Sequence, residues 1–240
     1  MTVALKPEIL DFIQACMPQK HEEFIERCEI FRNLLFCENR SYNLTSIDGE
    51  ETFWIKHVCD SIAILRYHPK SRQTAKIADI GAGAGFPSVP LAIALPDSKI
   101  TAIDSAGKKT AFIAKTAEAC EIRNLDPLNG RARELAANAE FQHRFDFIIA
   151  RAVASASEIF REARKMLKPD GSFILYKTPE SSESEICEIR KKSAKYGFEW
   201  SIGEKFDLPL NSGSRCFMYG IQKLPSPQNF ARKTFIKPVA

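Results

Sequence analysis

The stretch Lys76-Ile77-Ala78-Asp79-Ile80-Gly81-Ala82-Gly83-Ala84-Gly85-Phe86-Pro87 constrains the fold of this chain more than any other. A short apolar run meets three glycines at alternate positions and then the apolar segment 89–95, which reads as strand, tight turn and helix. Glycine in such a turn admits positive φ and lets a ligand reach the main chain without meeting a Cβ. The helix start behind it offers N–H groups that have no partner inside the helix. The unit is expected to hold something flat or carboxylated.

From residue 76 onward strand and helix signals alternate. Strands are expected at 76–80, 99–104, 125–129, 145–150 and 172–177, and helices at 87–95, 106–120, 156–167 and 180–195. Pro169-Asp170-Gly171 reads as the turn before the fifth strand. Two more strands near 198–206 and 215–223 read as an antiparallel pair, although Gly220 weakens the second. Upstream, helix-spaced apolar residues predict helices at 8–17 and 21–38, broken at Pro18, and a third at about 50–65. Asp48-Gly49 and the stretches 41–46 and 68–73 read as turn, loop and polar link. The fold class is therefore α/β: a Rossmann-like, mostly parallel sheet with an antiparallel C-terminal strand pair and an N-terminal helical cap. The expected division is a cap at 1–70, a ligand-binding catalytic domain at 71–224 and a basic, proline-containing tail at 225–240, in one compact unit.

With 240 residues, 45% of them hydrophobic, the chain can bury a core of its own. It has no apolar run near the ~20 residues a bilayer demands, and its first residues lack the pattern of a signal peptide. Seven scattered cysteines form no Cys-x-x-Cys pair and no metal-ligand spacing, so reduced thiols in a cytoplasmic protein without metal are expected. A net charge of +4 is compatible with a polyanionic partner.

The register of the glycines narrows the ligand. A dinucleotide fingerprint, Gly-x-Gly-x-x-Gly, would need its third glycine where Phe86 stands. Asp79, Gly81, Gly83 and Gly85 instead give Asp-x-Gly-x-Gly-x-Gly, the form associated with S-adenosylmethionine sites in class I methyltransferases. An opened turn with an acid nearby suits a methionine ammonium group; another nucleotide-type ligand and a purely structural turn are the alternatives. Asp104, at the end of the second strand, is placed to accept ribose hydroxyls, or else to cap helix 106–120. Gly130-Arg131-Ala132-Arg133 follows the third strand, where main chain and short side chains frame an adenine if the loop is not merely exposed.

Arg151, just past the fourth strand, faces the crevice used by ligands of open α/β sheets, or else is a solvated surface arginine. The sequence there is Ala150-Arg151-Ala152-Val153, without the Asn/Asp-Pro-Pro-aromatic run of exocyclic-amine methyltransferases and without a cysteine. An acceptor that is already nucleophilic and forms no covalent adduct is expected. His57-x-x-Asp60-Ser61 has the residue types of a hydrolase triad, but all three fall on one helix with no nucleophile elbow. Polar contacts between cap and catalytic domain explain it better. Lys108, Lys109, Arg151, Lys177 and the tail could present positive charge to phosphates.

Five short motifs in order carry a family resemblance: Tyr42-Asn43-Leu44-Thr45-Ser46, His57-x-x-Asp60-Ser61, the stretch from Asp79 to Pro87, Asp104-Ser105-x-Gly107-Lys108-Lys109, and Arg151-Ala152-Val153-Ala154. From about residue 24 onward the chain resembles the bacterial small-subunit (16S) rRNA guanine-N7 methyltransferases of the RsmG family, formerly GidB. The resemblance implies S-adenosyl-L-methionine held by Gly81, Phe86, the Ala132-Arg133 loop and Arg151. It implies N7 of a guanine in 16S rRNA, or in the small ribosomal subunit, as acceptor. A monomer with no membrane and no metal partner is expected. Guanine N7 carries a lone pair and no proton, so positioning rather than a general base is expected. Three positions depart from the family pattern: Ser88 and Thr178 where glycine is usual, and Arg133 where an acid is usual. A small-molecule methyltransferase, or a non-catalytic adenosyl-ligand or RNA-binding assembly factor, is the alternative.

Overall fold

The computed structural model describes residues 5–42, 49–68 and 74–223. The first two residues of the loop expected at 41–46 are helical, since the helix from His21 runs to Tyr42; residues 43–46, Asp48, 69–73 of the polar link expected at 68–73, and the basic tail lie outside the described residues.

The cap consists of α1 (Pro7–Cys16), α2 (His21–Tyr42) and α3 (50–67), the last wound as a π-helix over Phe53–Cys59. The sheet strands are β1 (Lys76–Ile80), β2 (Lys99–Asp104), β3 (Leu125–Asn129), β4 (Phe145–Arg151), β5 (Leu167–Lys177), β6 (Phe198–Ile202), β7 (Phe206–Asp207) and β8 (Ser214–Gln222). Between them lie α4 (Ser88–Ala94), α5 (Gly107–Ala119), α6 (Ala132–Leu135), α7 (Ala156–Ala163) and α8 (Pro179–Ser193). The sheet order is β3-β2-β1-β4-β5-β8-β6, with β7 paired to β8. The pairs from β3 through β5 are parallel, and β8 runs antiparallel to both β5 and β6. The strand order reverses between β1 and β4, where open α/β sheets bind their ligands at the carboxyl ends.

Period-2 alternation sorts each strand between two cores. Ile77, Ile149 and Ile174 point to the face covered by the cap, α4 and α5; Ala78, Ile148 and Phe173 point to the face covered by α7 and α8. Phe24, Phe31, Phe53 and Trp54 of the cap are at most 1% exposed and share one cluster with the sheet. Each contributes about 1.5–3 kcal/mol to the packing of these helices against the sheet.

Two helix starts are chemically explicit. Ser155 and Glu158 form a reciprocal capping box on α7, and Thr178 with Ser181 does the same on α8. Thr178 thus has a local role in this chain: its side chain accepts from the Ser181 N–H.

The expected turn at Pro169-Asp170-Gly171 is corrected by the structure. These residues lie inside β5, in a bulge where the two-residue step Phe145 to Phe147 faces the five-residue step Leu167 to Ser172. A bulge tolerates the missing proline N–H, and a Cβ on Gly171 would lie 2.8 Å from the Asp146 carbonyl, so the same residues that favour a turn also favour this close approach. Gly220, by contrast, belongs to its strand: a Cβ there would lie 2.6 Å from the Trp200 ring. Helix 156–167 is likewise shorter than its periodicity, ending at Ala163 in a 3-10 turn over Arg164–Met166. No helix among the described residues is long and apolar enough to cross a membrane.

Candidate functional site

The turn after β1 is held from beneath by β2. The N–H groups of Gly81 and Ala82 both donate to the Ile103 carbonyl, at 2.8 and 3.0 Å. Gly81 has φ +74°, and a Cβ there would lie 2.3 Å from Val153, in the loop after β4. Gly83, with φ +58°, is different: a Cβ on it would meet nothing nearer than the Gly81 carbonyl at 3.9 Å. The turn is therefore closed against Val153 at Gly81, which lines the crevice, and uncrowded at Gly83.

Asp104 sits at the carboxyl tip of β2 and joins two elements. Its Oδ2 accepts from the Gly83 N–H and its Oδ1 from the Ala106 N–H, each at 2.9 Å. The N-cap of α5 is Ala106, with no side-chain cap bond, so Asp104 is not the cap itself but holds the main chain just ahead of the helix; as a residue it is 8% exposed and lines the crevice. That crevice has a volume of about 760 Å³ and is walled by Gly81, Ile103, Asp104, Gly130, Ala132 and Arg133, among others. The volume lies in the range of small-molecule sites, roughly 300–1,000 Å³. Ala132 is buried at the start of α6, whereas the Arg133 side chain is exposed.

Three expected ligand contacts are placed differently. Asp79 is fully buried behind the turn, and the Ser88 hydroxyl donates to its Oδ2. Its carboxylate does not reach the crevice wall, so a direct contact with a methionine ammonium is not what the geometry offers. Burial pushes its pKa up to about 7, against the lowering effects of Ser88 and then Arg151. Ser88, where the resembled family has glycine, supplies a side-chain donor to this acid. The Phe86 ring is 5% exposed and stacks on His57 at 4.1 Å, with Phe31 at 4.9 Å on the cap side. Phe86 packs between cap and turn, its N–H donates to the Ala82 carbonyl at 3.0 Å, and it does not line the crevice.

Arg151 is neither free in the crevice nor solvated. Its Nη1 donates to the Lys56 carbonyl at 2.8 Å and to Asp60 at 3.1 Å, and its Nη2 lies 3.1 Å from His57 Nδ1. The guanidinium also lies over the Phe86 ring, 5.5 Å from its centroid. Asp60 is shared with Arg215 of β8 at 3.3 Å, and the Tyr176 hydroxyl donates to the Ser61 carbonyl at 2.8 Å. The π-wound segment of α3 thus places the Lys56 carbonyl and His57 against the end of β4. Burial, and then the Arg151 charge, push the His57 pKa down to about 3, so the imidazole is neutral. The motif His57-x-x-Asp60-Ser61 fixes cap to sheet, and none of its residues is arranged as a nucleophile. Arg215 and Tyr176 have no local signal in the sequence; only the strand order brings them here.

The four basic residues expected to meet phosphates separate into two kinds. Lys177 donates to Glu185 at 2.8 Å and to the Ala154 carbonyl at 3.2 Å, which holds the loop after β4 to α8. Arg151 is held as described. Lys108 is exposed at the start of α5, and Lys109 lines the crevice. Among the described residues there is no group of His, Cys, Asp and Glu that could hold a metal.

A parallel sheet whose order reverses beside a glycine turn, with an acid at the tip of β2, defines the Rossmann-like class to which methyltransferases belong. Solved structures support this fold. An O-methyltransferase from Bacillus cereus in complex with SAH superposes with a TM-score of 0.56 at 16% identity, over 81% of this chain and 91% of its own. A SAM-dependent methyltransferase from Aquifex aeolicus gives 0.55 at 13% identity, over 75% and 97%. The profile of the family described as rRNA small subunit methyltransferase G matches residues 24–206. The ribosomal RNA small subunit methyltransferase G of Carboxydothermus hydrogenoformans is 32% identical over 212 residues, covering 88% of this chain and 89% of the relative. That of Lactococcus lactis subsp. lactis is 34% identical over 215 residues, covering 90% of each. The chain belongs to the rRNA small subunit methyltransferase G family.

Proposed function

We propose that this protein is a cytoplasmic, S-adenosylmethionine-dependent methyltransferase acting on N7 of a guanine in 16S rRNA within the small ribosomal subunit. The observation that carries the reading is the crevice of about 760 Å³ at the reversal of the sheet, with Gly81 of the glycine turn, Asp104 and Gly130 in its wall and Asp104 tied to the turn through the Gly83 N–H. The ligand's ribose fits at Asp104, its adenine beside Gly130 and Ala132, and its methionine end along Gly81. S-adenosylmethionine supplies an electrophilic methyl group when bound there.

The chain's own residues support an acceptor that needs no deprotonation. Beside the crevice, His57, Asp60 and Arg151 are hydrogen-bonded to one another or to main chain, and His57 stays neutral down to about pH 3. None is poised to remove a proton. Orientation of a lone-pair nucleophile such as guanine N7 for in-line attack is then the main contribution. Residues 1–70 act in this reading as a cap that orients Arg151, and 71–224 as the cofactor-binding domain.

Incubation with labelled cofactor and small-subunit particles from a strain lacking the gene, followed by mapping of the label, tests the reading. Label on N7 of one guanine is the expected result. Label on an exocyclic amine, on protein or nowhere overturns it.

A further inference from the structure

The crevice does not end at Arg133. That side chain also lines a second groove, between α6 and α7, with Arg164 and Lys165; Arg161 and Arg164 continue into a third, between α7 and the end of α8, with Lys195 and Tyr196. The three grooves share walls, so they form one track across the helical face that leads away from the cofactor crevice.

The charge along the two outer grooves is uneven. The acids Glu158, Glu162 and Glu188 are each engaged: Glu158 caps α7, Glu162 pairs with Arg161 at 3.3 Å, and Glu188 pairs with Lys192. Arg133, Arg164, Lys165 and Lys195 have no carboxylate partner in any ion pair among the described residues. Arg133, Lys165 and Lys195 are exposed. An aromatic ring lies among these cations. Tyr196 is 39% exposed, the one aromatic among the exposed large hydrophobic residues described. The Arg164 guanidinium covers its ring at 4.3 Å and Lys195 Nζ lies 5.1 Å from it. Unpaired cations at intervals with a part-open, cation-backed aromatic ring are the elements of single-strand binding: cations follow the phosphates and the ring takes a base.

We propose that this track binds a single-stranded RNA segment flanking the methylated nucleotide, with Arg133, Arg164, Lys165 and Lys195 on its phosphates and Tyr196 under one base. The proposal rests on the rRNA reading for the identity of the RNA, and it moves the main RNA contacts away from Lys177 and Arg151, whose charges are matched inside the protein. A basic face alone would also fit an acidic protein; the exposed aromatic ring and the continuity with the cofactor crevice favour RNA.

The test uses the full chain and fluorescently labelled, protein-free 16S rRNA, titrated between 50 and 200 mM salt. The double variant Lys165→Gln/Lys195→Gln is compared with Lys76→Gln/Lys99→Gln, which makes the same charge change at the amino ends of β1 and β2. Two lost phosphate contacts make the slope of log K against log salt shallower by about 1.5, and affinity near 100 mM salt is expected to fall about tenfold. The control pair is expected to change affinity by less than about twofold, and neither pair to change cofactor affinity. Equal affinity and slope in the two double variants overturn the proposal. A loss seen with small-subunit particles but not with protein-free RNA overturns it in favour of an acidic protein partner. The rRNA methylation reading fails separately, if the wild-type chain transfers no methyl group to RNA; a shallower slope in the Lys165/Lys195 variant then still establishes the surface.

Discussion

Two regions sit side by side at the carboxyl ends of the parallel strands, and each is organised by one carboxylate. At the tips of β1 to β3, Asp104 accepts from the main-chain N–H groups of Gly83 and Ala106, and the turn it steadies lines the crevice at Gly81. At the tips of β4, β5 and β8, Asp60 is held by Arg151 and Arg215, and His57, Lys56 and Tyr176 complete the contacts around it. The first carboxylate shapes a space for something else, whereas the second closes the protein on itself. Both regions hold residues of the kinds found in active sites. The difference lies in whether the region leaves a space at its polar edge, and the proposed cofactor site falls in the first region, beside the second.

The largest effect that separates them is expected at Asp60. Its side chain is 6% exposed, and Asp60→Ala leaves Arg151 and Arg215 without their shared carboxylate. A loss of about 3 kcal/mol in urea unfolding is expected. A loss below about 1 kcal/mol would class the junction with surface ion pairs and end the comparison.

His57 comes next. Its pKa is lowered, so the folded state disfavours protonation and wild-type stability falls as pH drops from the unfolded value near 6.5 towards about 3. Asp79 has the opposite sign. Its raised pKa gives a contribution that is full below about 3.8 and is lost as pH rises to about 7. His57→Phe removes the first slope only, so between pH 7 and pH 5 the variant gains up to about 2 kcal/mol relative to wild type. Parallel pH dependences in urea melts would mean that His57 titrates as if solvated, and that the junction is not closed.

Asp104→Ala acts on the open region. It leaves the Gly83 and Ala106 N–H groups without their acceptor, which costs about 1–2 kcal/mol, and cofactor affinity measured by calorimetry is expected to fall at least about tenfold. Cofactor affinity equal to wild type would remove Asp104 from the ligand site and leave it a purely structural tie. The smallest effect is expected at Ser88, behind the turn. Ser88→Gly takes the hydroxyl donor from Asp79 and costs about 1 kcal/mol above pH 7, where the acid is charged, and less at pH 5, where it is neutral. A loss that is the same at both values would show that the hydroxyl serves the start of α4 rather than the carboxylate.

The features legible in the amino-acid sequence are local ones. Strands β1, β2 and β3 lie where short, mostly apolar runs bounded by turn residues place them, because such a run and the chemistry of its flanking turns are carried by neighbouring residues. The glycine turn and Asp104 are legible as residues for the same reason, although the contacts that hold the turn come from Ile103 and Asp104 on the next strand. Pro169-Asp170-Gly171 misleads because proline and glycine suit a bulge inside a paired strand as well as a free turn, and only the partner strand decides. Arg151 is visible in the sequence as a residue but not in its role. Its partner Asp60 lies 91 residues away along the chain, and Asp60 meets Arg215 at a separation of 155. Those encounters follow from β4, β5 and β8 lying side by side and the cap closing over them, an arrangement that no local pattern carries. The sequence by itself determined the α/β class, the glycine turn and its acid. The tertiary structure decided which charges are matched internally, Arg151 and Lys177 among them, and which, along Arg133, Lys165 and Lys195, still face solvent: pairing depends on distance in space, and chain distance predicts it only within a turn or two.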